Sequence, residues 1–399
     1  MTSAHVRPLL EPRDGPVGLT HDDIDQAVQR LAAGTGPIAV DTERAMGIRY
    51  SARAYLIQLR RPGAGTFLID PVGIEDRLVG LAEVMKTEWI LHAADQDLSC
   101  LHELGLFPEK VFDTAMAAKL LGREHISLQA LGVELLQLKL AKEHATADWS
   151  QRPLSAEELN YAALDVELLH ELRDILTQQL HEAGRFTWFE EECEEIRTRK
   201  PTPSAAQPWR KAARRTHLRD QRSLAMLREL WNTRDRLAQK RDIAPSKIVP
   251  SDVLAELARR KPRSRQDVTT CPLLRPRMRQ RYIPQWWAAI ETAWRLPTHE
   301  LPERDYHDKA KAYPPITRWP KTHPQAAKRW EILRPAVIAH AEKLGIDQSV
   351  LLKPEIQRLT AWVGWHSEAE LRDVLQEYGA RPWQINEVVQ PILHAMHSA

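Results

Sequence analysis

The feature that most constrains the fold is a change of pattern near residue 200. Before it, short apolar runs alternate with segments of helical periodicity, and after it no convincing strand remains. Strands are predicted at residues 37–41, 54–59, 66–70, 89–93 and 111–113, and helices at 74–86, 95–104, 128–138 and 156–183, with a further helix that ends at Leu121. The first three strands, with a Gly/Pro turn at 62–65, predict an antiparallel meander. The whole pattern predicts an α/β domain with a mixed sheet and flanking helices.

Proline-rich segments divide the rest of the chain. Residues 200–208 and 301–320 have the composition of linkers. We therefore predict an α/β domain at 1–200, a linker at 201–215, an all-helical domain at 216–300, a linker at 301–322 and a second all-helical domain at 323–399. In each helical domain a long amphipathic helix is followed by a short turn, containing Ser246 or Ser349, and then by another helix. We interpret the two domains as copies of one module.

The composition is typical of a globular protein. Hydrophobic residues make up 43% of the chain and charged residues 28%, and no apolar run approaches the roughly 18 residues that suggest a membrane span. The first residues are polar and Pro-rich and carry no apolar signal core, so we expect a cytoplasmic protein, and a monomer. Three distant cysteines predict neither a disulfide framework nor a zinc site.

Basic residues are unevenly distributed along the chain. The net charge is only +2, yet between Trp209 and Arg228 seven basic residues occur with Asp220 as the only acid. Such a stripe can bind phosphates or can be a solvated helix face, and composition alone does not separate the two.

Two acids lie at the end of the first predicted strand. Side chains alternate along a strand, so Asp41 and Glu43 share one face, about 6.6 Å apart along the chain. Two carboxylates on one face repel each other unless a cation holds them, and Mg²⁺ or Mn²⁺ takes oxygen ligands. The alternative is a strand end with solvent-facing acids, which is the usual meaning of an isolated Asp-x-Glu.

Further candidates follow a later strand and lie on a helix. Residues 92–98 form a strand-to-helix turn, where Asp95 is predicted to cap the helix and Asp97 to face the end of the sheet. Tyr161 and Asp165 are four residues apart within a predicted helix, so the phenol and the carboxylate lie on the same face. Alone, this pair is common on surface helices.

In this order, the motifs resemble those of the DEDD superfamily of 3′→5′ exonucleases, in its tyrosine-bearing branch. Further stretches narrow the resemblance to the ribonuclease D family. They are Leu-Ile-Gln-Leu at 56–59, His-Ala-Ala at 92–94, Phe-Asp-Thr at 112–114 and Asp-Trp-Ser-Gln-Arg-Pro-Leu at 148–154, which leads into Asn-Tyr-Ala-Ala-Leu-Asp-Val at 160–166. The first helical domain resembles the HRDC domain shared with helicases, and the last resembles a divergent second copy. The resemblance implies a ribonuclease-H-like mixed sheet followed by two all-α HRDC-like domains.

The resemblance also implies a mechanism. It assigns Asp41, Glu43, Asp97 and Asp165 to two divalent ions, Mg²⁺ or Mn²⁺, which activate the attacking water and stabilise the leaving 3′-oxygen. Tyr161 would position the water, because a phenol with a pKa near 10 is a poor base at neutral pH. By family analogy, nucleoside 5′-monophosphates are released one at a time from RNA 3′ ends, in the maturation of transfer RNA and other stable RNAs.

Two departures from the family pattern lie beside the motifs. Arg44 follows Glu43 where an apolar residue is expected, and Gln96 precedes Asp97 where an acid is frequent. Arg44 and Arg49 can clamp the scissile strand or belong to a solvated loop, and we favour contact with the substrate. Candidate nucleic-acid-binding residues are Thr42, Arg49, Tyr50, Arg214, Arg215, Lys240, Arg241, Arg259 and Arg260, with Lys261 beside them.

Two other functions fit parts of this pattern. A 3′→5′ exonuclease acting on DNA would use the same four acids and tyrosine, although the sequence has no polymerase or helicase motif to accompany it. A non-catalytic RNA-binding protein on a former nuclease scaffold would have lost one or more of the acids, and here all four are present.

Overall fold

A computed structural model of the chain describes residues 6–141, 147–200, 207–304 and 313–398. The described part of the first 200 residues holds all of the strands. The strands are β1 (Arg7–Leu9), β2 (Leu19–Thr20), β3 (Ile38–Arg44), β4 (Ala54–Arg61), β5 (Gly65–Ile69), β6 (Glu88–Leu91), β7 (Lys110–Asp113) and β8 (Leu138–Leu140). The helices of this domain are α1 (Ile24–Ala33), α2 (Val79–Val84), α3 (Leu98–Glu103), α4 (Thr114–Leu120), α5 (Leu128–Leu136), α6 (Ala156–Asp165), α7 (Leu169–Glu182) and α8 (Phe186–Thr198).

Six strands form a mixed sheet in the order β2-β5-β4-β3-β6-β7. Pairing is antiparallel between β3 and β4 and between β4 and β5, and parallel between β3 and β6 and between β6 and β7. The predicted meander and mixed sheet are therefore confirmed. Two pairings were not predicted: β2 adds to the sheet edge beside β5, and β1 pairs with β8 away from the main sheet. Both involve strands of only two or three residues, which are too short to show a side-chain period.

Apolar side chains cover the central strands on both faces. The first six residues of β4 are all buried, as expected for a strand with a hydrophobic layer on each side. One layer contains α1, α2 and α3, and another contains α4 and α7. β3 lies between β4 and β6 in the interior of this sheet, so it has a hydrogen-bonded neighbour on each side.

The helix predicted at 156–183 is broken, and this prediction was wrong. α6 ends at Asp165 and α7 begins at Leu169. Glu167 lies at the break with a fully buried side chain, and its carboxylate lies 3.4 Å from the Arg60 guanidinium. Sequence periodicity misses the break because apolar residues continue through it.

The first helical module begins earlier than predicted. Its helices are α9 (Trp209–Arg215), α10 (Gln221–Arg241), α11 (Pro245–Ile248), α12 (Ser251–Arg260), α13 (Arg265–Thr269), α14 (Arg277–Gln280) and α15 (Ile283–Arg295). α9 lies in the predicted linker 201–215, but Trp209, Ala212 and Ala213 are buried in the core of this module. The predicted linker is therefore too long at its C-terminal end, and residues 201–206 lie outside the described residues. The sequence of α9 contains four basic residues, so its apolar face is not evident from the sequence pattern.

The second helical module also extends into a predicted linker. Its helices are α16 (Trp319–Thr322), α17 (Pro324–Leu344), α18 (Gln348–Leu351), α19 (Pro354–Val363), α20 (Glu368–Glu377) and α21 (Pro382–His397). Trp319 is fully buried against Trp330 and Trp362, and its indole N–H donates to the Pro314 carbonyl at 2.8 Å. The linker predicted at 301–322 is thus too long as well, while residues 305–312 lie outside the described part. Prolines indicated a linker here, but Pro320 lies in the first turn of α16, where proline is tolerated.

A buried ion pair joins the second module to the α/β domain. Arg381 donates two hydrogen bonds to the Glu192 carboxylate at 2.7 and 2.8 Å, and both side chains are less than 10% exposed. The Trp383 indole N–H donates to the same carboxylate, and its ring stacks on Trp188. A bidentate pair with its remaining lone pairs satisfied is the favourable case for a buried charge. The two domains share one continuous hydrophobic core around this contact.

The cysteines and the helix lengths bear on two further predictions. The three cysteines are buried and form no disulfide, as predicted. Among the described helices, none is long and apolar enough to cross a membrane.

Substituting Trp319 tests the revised domain boundary. Trp319→Ala should lower the free energy of unfolding by about 3–5 kcal/mol, because it empties a fully buried site. Urea denaturation followed by far-UV circular dichroism measures this change. Trp287→Ala, at a half-buried tryptophan of the first module, should cost clearly less. If Trp319→Ala lowers the free energy of unfolding no more than Trp287→Ala does, the segment around Trp319 is a linker as the sequence predicted.

Candidate active site

β3 places two carboxylates at the centre of the sheet. Asp41 and Glu43 lie on the same face of this strand, as alternation predicts. Gln58, which lies opposite Asp41 on β4, donates from Nε2 to Asp41 Oδ2 at 3.4 Å. The neighbouring strands on both sides fix the positions of these acids.

The end of α6 brings a third carboxylate and a phenol to the same place. α6 starts with a capping box in which Ser155 and Glu158 satisfy each other's backbone N–H groups, and this fixes the start of the helix. One carboxylate oxygen from each of Asp41, Glu43 and Asp165 lies within 4.8 Å of the others. The Tyr161 hydroxyl, one turn before Asp165, lies close enough to this carboxylate for each group to shift the pKa of the other. Residues more than 100 positions apart thus form one site.

Asp97 lies beside this group and is 5% exposed. It follows a 3-10 turn at Ala94–Gln96, and its Oδ1 accepts a hydrogen bond of 2.6 Å from the Thr42 hydroxyl. Its charge is close enough to raise the pKa of Asp41. In this structure Asp97 therefore lies near the other three acids, but its carboxylate is bonded to Thr42 and is not among those whose oxygens converge.

The prediction that Asp95 caps the helix was wrong. Asp95 is exposed and pairs with Arg199 at the end of α8. The backbone N–H groups of Ala93 and Ala94 instead donate to the Asp113 carboxylate at 3.1 and 3.0 Å. Asp113 also accepts from the first N–H groups of α4, so one buried acid holds both turns. The residue that caps a turn from another strand cannot be identified by local spacing.

The carboxyl pKa values at this site are all raised. Burial, followed by repulsion from Asp97, Asp165 and Glu43, raises the pKa of Asp41 well above its usual range. Burial raises the pKa of Glu43 to about 8, that of Asp165 to about 7 and that of Asp97 to about 6. The Tyr161 phenol also has a raised pKa, from burial and the nearby carboxylates. The phenol therefore keeps its proton at neutral pH.

This donor set fits divalent cations. Half-buried carboxylates with converging oxygens are costly unless positive charge is supplied. Oxygen donors are the ligands that Mg²⁺ and Mn²⁺ take in proteins. The acidic cluster is compatible with metal binding.

The two residues that depart from the family pattern contact each other. The Arg44 guanidinium donates to Gln96 Oε1 at 3.0 Å beside the acids, and its charge opposes the rise in the pKa of Glu43 and of Asp97. Thr42, a candidate for binding nucleic acid, is buried, and its hydroxyl donates a hydrogen bond to Asp97. Its nucleic-acid contact stays a prediction.

The loop of residues 45–53 joins the active site to the first helical module. Arg49 donates from Nε to the Ser150 hydroxyl at 2.7 Å. The backbone N–H groups of Tyr50 and Ser51 both donate to Asp242 Oδ1 at 3.2 Å. The Tyr50 hydroxyl donates to Asp235 on α10, so this side chain contacts the module. Sequence reasoning missed these contacts, because nothing local to Asp242 indicates a partner almost 200 positions away.

The candidate residues of the first module fall into two groups. Arg215 pairs with Asp252, and Arg259 and Arg260 both pair with Glu256. Lys261 likewise pairs with Asp220. A second group has no ion pair within the part of the chain that the structure describes, and it consists of Arg214, Lys240 and Arg241. The second group keeps more of its charge available for phosphates.

Comparisons with known proteins agree with this architecture. A family model for the 3′–5′ exonuclease domain matches residues 19–181, and a model for the HRDC domain matches residues 223–290. The last module matches, at residues 312–396, a model for the C-terminal domain of 3′ to 5′ exonucleases. Only the first module is thereby identified as an HRDC domain.

Relatives and solved structures cover nearly the whole chain. The ribonuclease D of Pseudomonas paraeruginosa is 30% identical over 385 residues, covering 95% of this chain and 97% of that protein. A crystal structure of a protein from Bifidobacterium adolescentis has a TM-score of 0.87 at 33% identity, covering 98% of this chain and 99% of the other. The crystal structure of Escherichia coli RNase D has a TM-score of 0.67 at 24% identity, covering 91% and 99%, which shows a shared fold.

The fold and these matches define a 3′–5′ exonuclease domain followed by a helical region that contains an HRDC domain. The 30% identity to the Pseudomonas ribonuclease D over almost the full length of both chains identifies the family within this class. The chain belongs to the ribonuclease D family of 3′–5′ exoribonucleases.

Metal binding should be linked to pH through the raised carboxyl pKa values. In the metal-free protein these acids bind protons more tightly when folded, so their contribution to stability is present at low pH and is lost as pH rises through about 6 to 8. Added Mg²⁺ should therefore raise the melting temperature more at about pH 8 than at about pH 6. Thermal melts with Mg²⁺ or chelator measure this. An equal shift at both pH values would contradict metal binding by these acids.

Proposed function

We propose that this chain removes nucleoside 5′-monophosphates one at a time from RNA 3′ ends, using two divalent ions held by Asp41, Glu43, Asp97 and Asp165. The observation that carries the proposal is that these acids and Tyr161 lie close together at the centre of the sheet. When bound, Mg²⁺ or Mn²⁺ would activate the attacking water and stabilise the charge on the leaving oxygen.

The residues of the chain supply orientation and charge. Asp41 and Glu43 are fixed by a central strand, and Asp165 by the last turn of a capped helix, so the oxygens are positioned before substrate arrives. The Tyr161 hydroxyl keeps its proton and can hold the attacking water in line with the phosphorus. Proton abstraction by this phenol is disfavoured, because its pKa is raised further above neutrality.

The physiological setting follows from family membership. We propose that the substrates are precursors of transfer RNA and other stable RNAs, that the enzyme acts in the cytoplasm, and that one chain suffices for activity. The name of the Pseudomonas relative, ribonuclease D, supports RNA rather than DNA as the substrate.

We also propose that the last module is a second, diverged HRDC-like copy. In the first module helices of 21, 4 and 10 residues follow one another as α10, α11 and α12. In the last module α17, α18 and α19 have the same lengths in the same order. On this basis we propose that the exonuclease domain ends near residue 200, the first module covers 207–304 and the second covers 313–398.

Asp165→Asn tests the assignment of the site. The substitution removes one negative charge from the cluster, so hydrolysis of a 5′-labelled RNA should fall by at least about 10³-fold, while binding of that RNA persists. Gel ladders in Mg²⁺, in Mn²⁺ and in chelator measure the hydrolysis, and fluorescence anisotropy measures the binding.

Asp174→Asn is the matched control, because Asp174 is an exposed acid on α7 outside the site. It should leave the ladder unchanged. Equal activity of the two variants would overturn the site, and a ladder on a DNA oligonucleotide of matched sequence but not on RNA would favour a DNA exonuclease.

A further inference from the structure

A group of exposed cations lies on the first helical module beside the active-site loop. We name it the basic strip, and it consists of Arg241, Lys247, Arg275, Arg277 and Arg281. Three of its members come from the segment 272–282, which has four arginines and no acid. The fourth, Arg279, is only partly exposed and donates to the Leu273 carbonyl at 2.7 Å, so it holds the segment together.

Direct contacts connect the basic strip to the active site. The backbone N–H of Ala244 donates to the Ile48 carbonyl at 2.9 Å, which places the start of α11, with Lys247, against the loop 45–53. Arg241 precedes Asp242, the residue that binds the backbone of this loop. The strip therefore begins beside the loop 45–53, which follows Glu43.

The rest of the strip continues from Arg241. Its guanidinium carbon lies 5.2 Å from the centre of the buried Tyr282 ring. Arg281 immediately precedes Tyr282, and α14, which begins at Arg277, leads into it. Arg241 and the segment that ends at Tyr282 are therefore neighbours on the module.

The charges of the strip are not neutralised by acids among the residues that the structure describes. None of its five members forms an ion pair in the part of the chain that the structure describes, whereas Arg215, Arg259 and Arg260 are neutralised by Asp252 and Glu256. Asp242 is the only acid between residues 239 and 250, and the loop and Tyr55 occupy its oxygens. Exposed arginines without acid partners are suited to phosphates, which they bind by two parallel hydrogen bonds.

We propose that the basic strip binds the phosphates of the RNA segment upstream of the 3′ end that lies at the carboxylates. The inference rests on the proposed function and deepens it. An RNA whose last nucleotide reaches Asp41 and Glu43 must leave over a surface that borders the site, and the strip borders the loop 45–53. Phosphate contacts of this kind hold RNA without reading its bases, which suits an enzyme that shortens many sequences.

The strip also implies a dependence on RNA length. A trinucleotide occupies the active site alone, whereas an RNA of about 20 nucleotides is long enough to lie along the strip as well. Removing the charges of the strip should therefore weaken binding of the longer RNA and leave binding of the trinucleotide unchanged.

The test compares Arg275→Gln, Arg277→Gln and Arg281→Gln, combined in the full-length chain, with wild type on both RNAs. For the longer RNA we expect KM to rise about tenfold or more with little change in kcat. The slope of log KM against log salt concentration should fall by roughly 2, which is about 0.7 for each lost phosphate contact on a single strand. For the trinucleotide, kcat/KM should stay within about twofold of wild type. Arg279 is left in place and a thermal melt checks the fold.

A control with the same loss of charge uses exposed cations of the second module, Arg318→Gln, Lys321→Gln and Lys328→Gln. This control should keep the wild-type KM for both RNAs. An unchanged KM in the strip variant, an equal loss in the control, or an equal loss on the trinucleotide would each overturn the inference. If wild type degrades neither RNA, the proposed function fails instead, so the two failures are distinguishable.

Discussion

Asp41, Glu43 and Asp165 bring half-buried carboxylates together at the centre of the sheet, and the cost of this arrangement governs how the site is built. Asp41, Glu43 and Asp165 meet within 4.8 Å, and burial and repulsion together raise their pKa values. Left to relax, such side chains would turn to solvent. They are held because one pair lies on a strand with neighbours on both sides, and the third lies on the last turn of a capped helix. The fold therefore holds together a set of acids that can bind cations in exchange for their protons, and this is the physical basis of the proposed chemistry.

The helical modules attach to this centre in different ways. The first module docks through hydrogen bonds from the backbone of the loop that follows Glu43 to Asp242, so it contacts the active-site entrance directly. The second docks on the far side of α8 through the buried pair of Arg381 and Glu192 and shares a hydrophobic core with the α/β domain. The first contact is polar and partly exposed, and the second combines a buried ion pair with apolar packing. The first contact is the basis on which we propose RNA binding for the first module.

The sequence predicts those parts that depend on local spacing. Strand alternation brings Asp41 and Glu43 to one face, a four-residue helical spacing does the same for Tyr161 and Asp165, and a Gly/Pro turn between apolar runs indicates the meander. The failures concern contacts between distant residues. Asp113 takes the place of Asp95 in holding the turn before Asp97, and a buried Glu167 breaks the predicted long helix. Trp319 and α9 were assigned to linkers because prolines and cations masked apolar faces that only tertiary packing reveals.

We propose that four acids, rather than the three whose oxygens converge in this structure, form a site for two divalent ions. Asp97 is the decisive residue. In this structure it accepts a hydrogen bond from the Thr42 hydroxyl, so it must turn to bind an ion. Anomalous diffraction from crystals grown with Mn²⁺ tests the claim directly. We predict two manganese peaks between Asp41, Glu43, Asp97 and Asp165, with Asp97 turned to one of them. A single peak held without Asp97, or no peak among these acids, would contradict the account.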